Sequence, residues 1–159
     1  MKKMKPPEVK AGIWIDQETA YIIRFAGEEE PVMSRIKSDV ESRIRVAGEG
    51  KVSARFGNAF IDDQEKKQRR QRNERKVYFK EIIERIRDVD YLMIFGPGRA
   101  KEEFNNAIEA ASGLKAKVIC IEPADKITKS RMMMKVADYF NSDAFRLFKK
   151  NLRKQKALA

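Results

Sequence analysis

The sequence predicts an α/β fold in which helices cover a mixed β-sheet. Near the start of the chain, short β-branched and aromatic runs follow one another at hairpin distance, which is typical of antiparallel strands. Further along, segments of helical periodicity alternate with short apolar runs, which is typical of helix–strand crossovers. The length of 159 residues suits one domain with charged extensions.

The first half of the chain predicts three antiparallel strands. Residues 12–15 and 20–25 are apolar runs separated by the polar turn 16–19, and together they predict a hairpin. Residues 32–37 and 40–46 both alternate between apolar and polar side chains, so one long strand or two short ones complete this antiparallel group. The glycines at positions 48 and 50 then mark a loop.

The second half predicts helices alternating with strands. Asp62 or Asp63 is a suitable N-cap for a helix reaching about residue 87, whose later part has a core face of Val77, Phe79, Ile82, Ile83 and Ile86. Its earlier part has no apolar face and is expected to project outward. A strand at 91–95, a helix at 100–111 closed near Gly113, a strand at 118–121 and a Thr128-capped helix follow.

Taken in order, these elements predict a ribonuclease H-like sheet, with three antiparallel strands followed by α-β-α-β-α and a projecting basic helix. We divide the chain into a basic extended lead-in at 1–10, an α/β domain at 11–142 and a basic amphipathic tail at 143–159. The tail carries Phe145, Leu147, Phe148 and Leu152 among its cations, so we expect it to dock on one side.

The positive charge of the chain is concentrated in two segments. The net charge is +11, from 35 Lys and Arg against 24 Asp and Glu. Residues 66–76 hold seven cations against Glu74, and residues 146–156 hold six against no acid, so the remainder is close to neutral. Clustered cations of this kind favour a polyanionic partner, because they release counterions from phosphate backbones.

The first basic segment is the strongest functional signal. A helix that is merely solvated usually mixes Glu with Lys at i,i+4 spacing, whereas here the repulsion between cations is left uncompensated. Arg and Lys with few aromatic neighbours contact phosphates without reading bases, and RNA is the expected polyanion. The predicted nucleic-acid-binding residues are Lys51, Arg55, Lys66, Lys67, Arg69, Arg70, Arg72, Arg75 and Lys76.

Composition argues against several other functions. The chain has one cysteine and no histidine, which excludes an internal disulfide framework and the common zinc sites, and leaves nucleophilic catalysis without its usual base. We therefore expect no cofactor and no metal. The apolar run at 11–15 is too short for a signal-peptide core or a membrane span, and the basic segment has no apolar face to insert, so we expect a cytoplasmic protein with no membrane partner.

Two further features have a functional and a structural interpretation. Gly96 and Gly98 flank Pro97 between a strand and a helix, where backbone N–H groups could bind an anion, although a tight strand-to-helix turn is the favoured explanation. A nuclease would need carboxylates clustered at one end of the sheet, with Asp16 as the first candidate. Because the strand at 91–95 runs into Gly96 without a carboxylate, Asp16 is better explained as a turn residue.

The segment from Asp90 to Gly98, with Lys101 and Phe104 after it, resembles the "GPG…K" segment in the middle domain of eukaryotic and archaeal peptide-chain release factors and of pelota. The loop through Ser53, Arg55 and Phe56 into a basic helix looks like that domain's loop and helix. Residues 125–128 look like stand-alone bacterial and archaeal relatives of the domain. The resemblance implies the same α/β order and a ribosomal partner, namely ribosomal RNA or tRNA.

The same resemblance implies that the catalytic motif is missing. Release factors carry Gly-Gly-Gln in this loop, whereas alignment on Arg55 and Phe56 places Glu49, Gly50 and Lys51 there. Lysine lacks the donor and acceptor pattern of glutamine, and Glu49 removes the backbone freedom of a glycine.

We therefore expect a translation-associated, ribosome-binding protein without hydrolytic activity, acting in rescue or silencing of ribosomes. Two alternatives stay open: a peptidyl-tRNA or RNA hydrolase that uses the loop at 48–58, and a protein-interaction module with an acidic partner. The sequence leaves the oligomeric state undetermined.

Overall fold

The computed structural model describes residues 4–38 and 57–158. Within these residues it contains five strands and four helices. The elements are β1 (Val9–Ile15), β2 (Thr19–Ala26), β3 (Val32–Lys37), α1 (Gly57–Arg85), β4 (Tyr91–Gly96), α2 (Ala100–Ala110), β5 (Lys117–Pro123), α3 (Lys129–Phe140) and α4 (Asp143–Leu158). The additional strand predicted at 40–46 lies outside the described residues.

The strands form one mixed sheet in the order β3-β2-β1-β4-β5. β1 pairs antiparallel with β2, and β2 pairs antiparallel with β3. β4 is parallel to both β1 and β5, as helix-linked crossovers require. The predicted fold class, an α/β ribonuclease H-like arrangement, is confirmed.

Each face of the sheet has its own apolar core. Side chains alternate along the strands, so that Ile13 and Ile94 face one side while Trp14 and Phe95 face the other. Helices α1 and α2 pack on the first side through residues that include Tyr78, Phe79, Ile82, Ile86 and Phe104. Helices α3 and α4 pack on the second side through Met132, Val136, Phe140 and Phe145. The two basic helices, α1 and α4, therefore lie on opposite faces.

The side chain of Asp16 stabilises the turn between β1 and β2. Its Oδ1 accepts hydrogen bonds from the backbone N–H groups of Glu18, at 2.8 Å, and Thr19, at 2.6 Å. This side chain thus replaces backbone partners in the turn, as aspartates commonly do. β1 begins earlier than predicted, at Val9, because Val9 N donates to Asp90 Oδ2 at 2.9 Å and Val9 O accepts from Asp90 N at 2.8 Å.

Helix α1 starts before its predicted cap and has a slightly different core face. It begins at Gly57 and not at Asp62 or Asp63, since no proline or glycine interrupts residues 58–61. Val77, predicted to be buried, is 66% exposed, while Tyr78 is buried and its hydroxyl donates to Asp16 O at 3.3 Å. Tyr78 is four residues before Ile82 and therefore shares its side of the helix, whereas Val77 is turned away.

The end of α1 is held by Arg24 of β2. Its Nη1 donates to the carbonyl of Arg85 at 2.9 Å, which satisfies an acceptor left open at the helix C-terminus. Its Nη2 pairs with Asp88, and this hydrogen bond lowers the pKa of that carboxyl. Arg24 thus joins the antiparallel part of the sheet to the carboxyl-terminal end of α1 and to Asp88, just beyond it.

The last two helices also follow the predicted pattern, with one exception. Thr128 caps α3, since its Oγ1 accepts from Arg131 N at 3.2 Å. In α4, Phe145 is 2% exposed and packs against the sheet side of the core, while Leu147 is 59% exposed. The expectation that Leu147 docks with the other apolar residues is therefore wrong.

Candidate nucleic-acid interface

The amino-terminal half of α1 stands outside the apolar core. Residues 62–70 are all exposed, whereas the residues from Tyr78 onward bury Phe79, Ile82, Ile83 and Ile86 against the sheet. One continuous helix therefore connects a basic half, residues 62–76, to an anchored half that begins at Tyr78. The buried residues fix the rotation of the whole helix, and so they also fix the side of the helix from which each cation projects.

Three of the predicted residues share one side of this helix. Lys66, Arg69 and Arg70 are spaced i, i+3, i+4 and line a cleft of ≈ 580 Å³. Asn73 continues the same side, and Lys37 reaches the cleft from the end of β3. The cleft also contains acidic residues, Glu74 and Glu81, which lie nearer the anchored half of the helix than Lys66, Arg69 and Arg70 do.

Most cations of the basic half have no acidic partner among the residues that the structure describes. Within the described ranges, 4–38 and 57–158, no carboxylate lies within ion-pair distance of Lys66, Lys67, Arg69, Arg70 or Lys76. All five are exposed. Such cations keep their full hydration and their mutual repulsion in the free protein, and both favour an incoming polyanion.

The other two predicted cations of α1 are engaged. Arg75 Nη1 lies 3.1 Å from Glu103 Oε2 of α2, in an ion pair without the geometry of a hydrogen bond. Arg72 Nε donates to the carbonyl of Gln68 at 3.4 Å. Arg75 therefore braces α1 against α2, and it is less available to a ligand than Arg69 or Arg70. Lys51 and Arg55, also predicted to bind nucleic acid, lie outside the described residues.

The turn at Gly96 and Gly98 is built for tight packing. Gly96 has φ = +151°, and a Cβ there would lie 2.1 Å from the carbonyl oxygen of Ile15. The buried ammonium of Lys101 donates to the Gly98 carbonyl and pairs with Glu102 Oε1 at 3.3 Å. With Glu102 and Glu103 in the first turn of α2, this helix start carries negative charge. These contacts favour the structural interpretation of the turn over anion binding.

The chain is similar to two solved structures. The Pelota protein of Thermoplasma acidophilum aligns with a TM-score of 0.49 and 17% identity, over 90% of this chain and 35% of that chain. The archaeal translation termination factor aRF1 aligns with a TM-score of 0.45 and 14% identity, over 93% of this chain and 42% of that chain. This chain therefore spans less than half the length of either protein. A scan of known protein families finds no match, and a search of curated proteins finds no relative.

Other types of site find little support in the described part of the chain. No three His, Cys, Asp or Glu side chains there are grouped so that they could hold a metal ion. Asp16 has its Oδ1 occupied by the turn it organises. None of the described helices is long and apolar enough to cross a membrane.

Sequence reasoning missed one contributor to the cleft and left one basic surface without a role. Lys37 reaches the cleft through the pairing of β3 with β2, and no local pattern predicts that placement. The cations of α4 form the second run of positive charge, and the amphipathic pattern predicts that they lie on the side away from the docked apolar residues, but that pattern does not indicate a ligand.

Cys120 is expected to be an inert thiol. Burial, followed by the hydrogen bond to Glu122, raises its pKa to about 11. Since only the thiolate reacts, its alkylation by iodoacetamide at pH 8 should be roughly a hundredfold slower than that of an ordinary cysteine, and should accelerate until the pH approaches that pKa. Mass spectrometry of the native protein across pH, with the guanidinium-unfolded chain as control, measures this. A rate that levels off near pH 8.5 would contradict the assignment.

Proposed function

We propose that this protein is a translation-associated RNA-binding protein whose ligand is ribosomal RNA or tRNA. The interface is the basic half of α1, which we define as residues 62–76. The observation that carries the proposal is the exposure of Lys66, Lys67, Arg69, Arg70 and Lys76 without acidic partners in the described part of the chain, on a helix anchored in the core.

The physical argument concerns phosphate. A nucleic-acid backbone carries closely spaced negative charges and a layer of condensed counterions, and each cation that replaces a counterion contributes favourable entropy. The side chains of the basic half are long and flexible, but their attachment points are fixed by the helix. Little ordering of the backbone is therefore needed on binding. The described surface offers no aromatic platform beside these cations, so the contacts are expected to be independent of base sequence.

The link to translation comes from the sequence. Gly96, Pro97, Gly98 and Lys101 resemble the release-factor and pelota segment, and the structure gives them a shared local role, because Lys101 closes the turn by bonding the Gly98 carbonyl. Peptidyl-tRNA hydrolysis is not part of the proposal, since Glu49 and Lys51 stand where that family's loop has glycine and glutamine. The proposed role is in rescue or silencing of ribosomes, in which the protein binds the ribosome without hydrolysing peptidyl-tRNA.

The test is a charge reversal on the exposed side of α1. The variant Arg69→Glu/Arg70→Glu should reduce affinity for ribosomes and for structured RNA by at least about tenfold at moderate salt, because two phosphate contacts become repulsive. Co-sedimentation with purified ribosomes and fluorescence anisotropy with labelled RNA measure it. The matched control is Lys117→Glu/Lys126→Glu, which makes the same change in net charge at two exposed lysines outside α1 and α4. This control should bind nearly as well as the wild type.

Salt dependence separates RNA from an acidic protein partner. For the wild type, the logarithm of the RNA association constant should fall steeply against the logarithm of salt concentration, and the double variant should lower that slope by about 2. Equal ribosome binding by the variant and the wild type would reject the proposal, as would a flat salt response.

A further inference from the structure

The outer side of α4 is a second basic surface with its own anchoring. Phe145 is buried at the start of the helix and contacts the rings of Tyr91, at 5.3 Å between centroids, and Phe140, at 5.0 Å. Phe148 and Leu152 are half-buried on the same side. This packing turns the opposite side of α4, with its cations, toward solvent.

The cations of α4 divide into an anchoring one and a set of exposed ones. Lys149 pairs with Glu8 and lies over the rings of Phe145, at 5.7 Å, and Tyr91, at 5.9 Å, so it belongs to the packing. Arg146, Lys150 and Arg153 are spaced i, i+4, i+7 and therefore form one stripe, which Lys154 extends. All four are exposed, and within residues 4–38 and 57–158 only Arg146 has an acidic partner, Asp143, at 3.4 Å.

The stripe and the basic half of α1 belong to opposite faces of the sheet. α1 packs on the side of Ile13 and Ile94, and α4 packs on the side of Trp14 and Phe95. The basic half also continues outward from Tyr78, whose hydroxyl bonds the Asp16 carbonyl just past the carboxyl end of β1, whereas Lys149 of α4 pairs with Glu8 just before the amino end of β1. The two sets of cations therefore differ both in the face of the sheet and in the end of β1 to which they belong, and we expect that one short, straight polyanion does not contact both.

We propose that the α4 stripe, defined as Arg146, Lys150, Arg153 and Lys154, is a second phosphate-binding surface, and that the protein bridges two separate RNA segments. The binding of RNA by α4 is independent of the basic half of α1, whereas the bridging rests on the proposed function of that half. Four cations along about two turns of one helix face match the repeating negative charge of an RNA backbone.

The packing of α4 favours RNA over a membrane as its ligand. A helix that lies in a bilayer interface needs a continuous apolar side to insert. In α4 that side is covered by the domain, through Phe145 and the half-buried Phe148 and Leu152. Leu147 is exposed, but its exposed neighbours on α4 include Arg146 and Lys150. Among the described residues, it therefore does not belong to a continuous apolar surface on this helix.

The experiment measures RNA bridging with short duplexes. One RNA duplex of about 15 base pairs is immobilised, a second is fluorescent, and the retained fluorescence is measured with each protein. Such duplexes are far shorter than the persistence length of about 150 base pairs known for duplex DNA, so one duplex cannot bend around the domain. The wild type and Lys117→Glu/Lys126→Glu should both bridge. Arg153→Glu/Lys154→Glu should lose bridging at least tenfold while still binding one duplex through α1.

Control variants show whether a loss of RNA bridging comes from the lost charges or from misfolding. Arg153→Lys/Lys154→Arg keeps the charges and should bridge like the wild type, and circular dichroism with thermal melting verifies that every variant is folded. Arg69→Glu/Arg70→Glu should also lose bridging but bind a single duplex through α4. If that variant keeps wild-type binding and bridging, the proposed function of α1 fails, and bridging by two surfaces fails with it.

Two other results would overturn the inference about α4 itself. The first is unchanged bridging by Arg153→Glu/Lys154→Glu, which would place both RNA contacts on α1 surfaces of associated copies. The second is unchanged RNA binding and bridging by that variant together with a loss of its binding to phosphatidylserine vesicles, which would make the stripe a membrane contact.

Discussion

Replacing Gly96 with alanine is expected to lower the free energy of unfolding by more than about 3 kcal/mol. The backbone at Gly96 has φ = +151°, which L-residues with a Cβ rarely adopt. The new Cβ would also lie 2.1 Å from the carbonyl oxygen of Ile15. That oxygen belongs to β1, which is held between β2 and β4, so it cannot move without disturbing the centre of the sheet. Guanidinium-induced unfolding followed by circular dichroism measures the loss.

Gly98 provides the matched control in the same turn. It has φ = +61°, and a Cβ there would meet no atom within 4 Å. The variant Gly98→Ala should therefore cost only the left-handed backbone conformation, about 1–2 kcal/mol. Equal losses from the two variants would show that the contact with Ile15 is unimportant, and a folded Gly96→Ala protein of wild-type stability would refute the geometry of the turn.

Replacing Phe145 with alanine is expected to cost about 3–5 kcal/mol, the usual range for removing a buried phenylalanine. Phe145 is 2% exposed and joins α4 to α3 and to the sheet through the rings of Tyr91, Tyr139 and Phe140. Its loss also removes the ring over which Lys10, at 5.3 Å, and Lys149 lie. Because α4 has few other buried side chains, its backbone amides should exchange hydrogen faster than those of the remaining helices.

Leu147 is the control for Phe145, since it lies on the same helix and is 59% exposed. The variant Leu147→Ala should change the free energy of unfolding by less than about 0.5 kcal/mol. If Phe145→Ala behaved similarly, α4 would not be held by this residue, and the orientation of its cations would need another explanation.

Regular burial explains why much of the fold could be predicted. Phe79, Ile82, Ile83 and Ile86 recur at helical spacing and are all buried, because a helix against a sheet must cover one continuous side. Thr128 was a correct cap for a similar reason, since the capping hydrogen bond is local in sequence. Helix starts are less certain when nothing stops the helix from growing backward, and α1 accordingly begins at Gly57.

The site was harder to predict, because its properties depend on contacts between distant residues. The charge run identified the cations of α1, but it treated Arg75 like Arg69, and only the packing of α2 beside α1 brings Glu103 to Arg75. Val77 was assigned to the core face as part of the apolar pattern at helical spacing, yet it lies on the exposed side with Arg69 and Arg70. The predicted contributions of Lys51 and Arg55 stay predictions.

The continuity of α1 has a consequence for how its basic half stays ordered. Forming the first turn of a helix is the costly step, while adding residues to an existing helix is nearly neutral. The part of α1 that contains Ile82 and Ile86 is held in place by the sheet, so it acts as a permanent nucleus. The cations beyond it need only propagate a helix that already exists, which lets a segment with strong mutual repulsion remain helical before any ligand arrives.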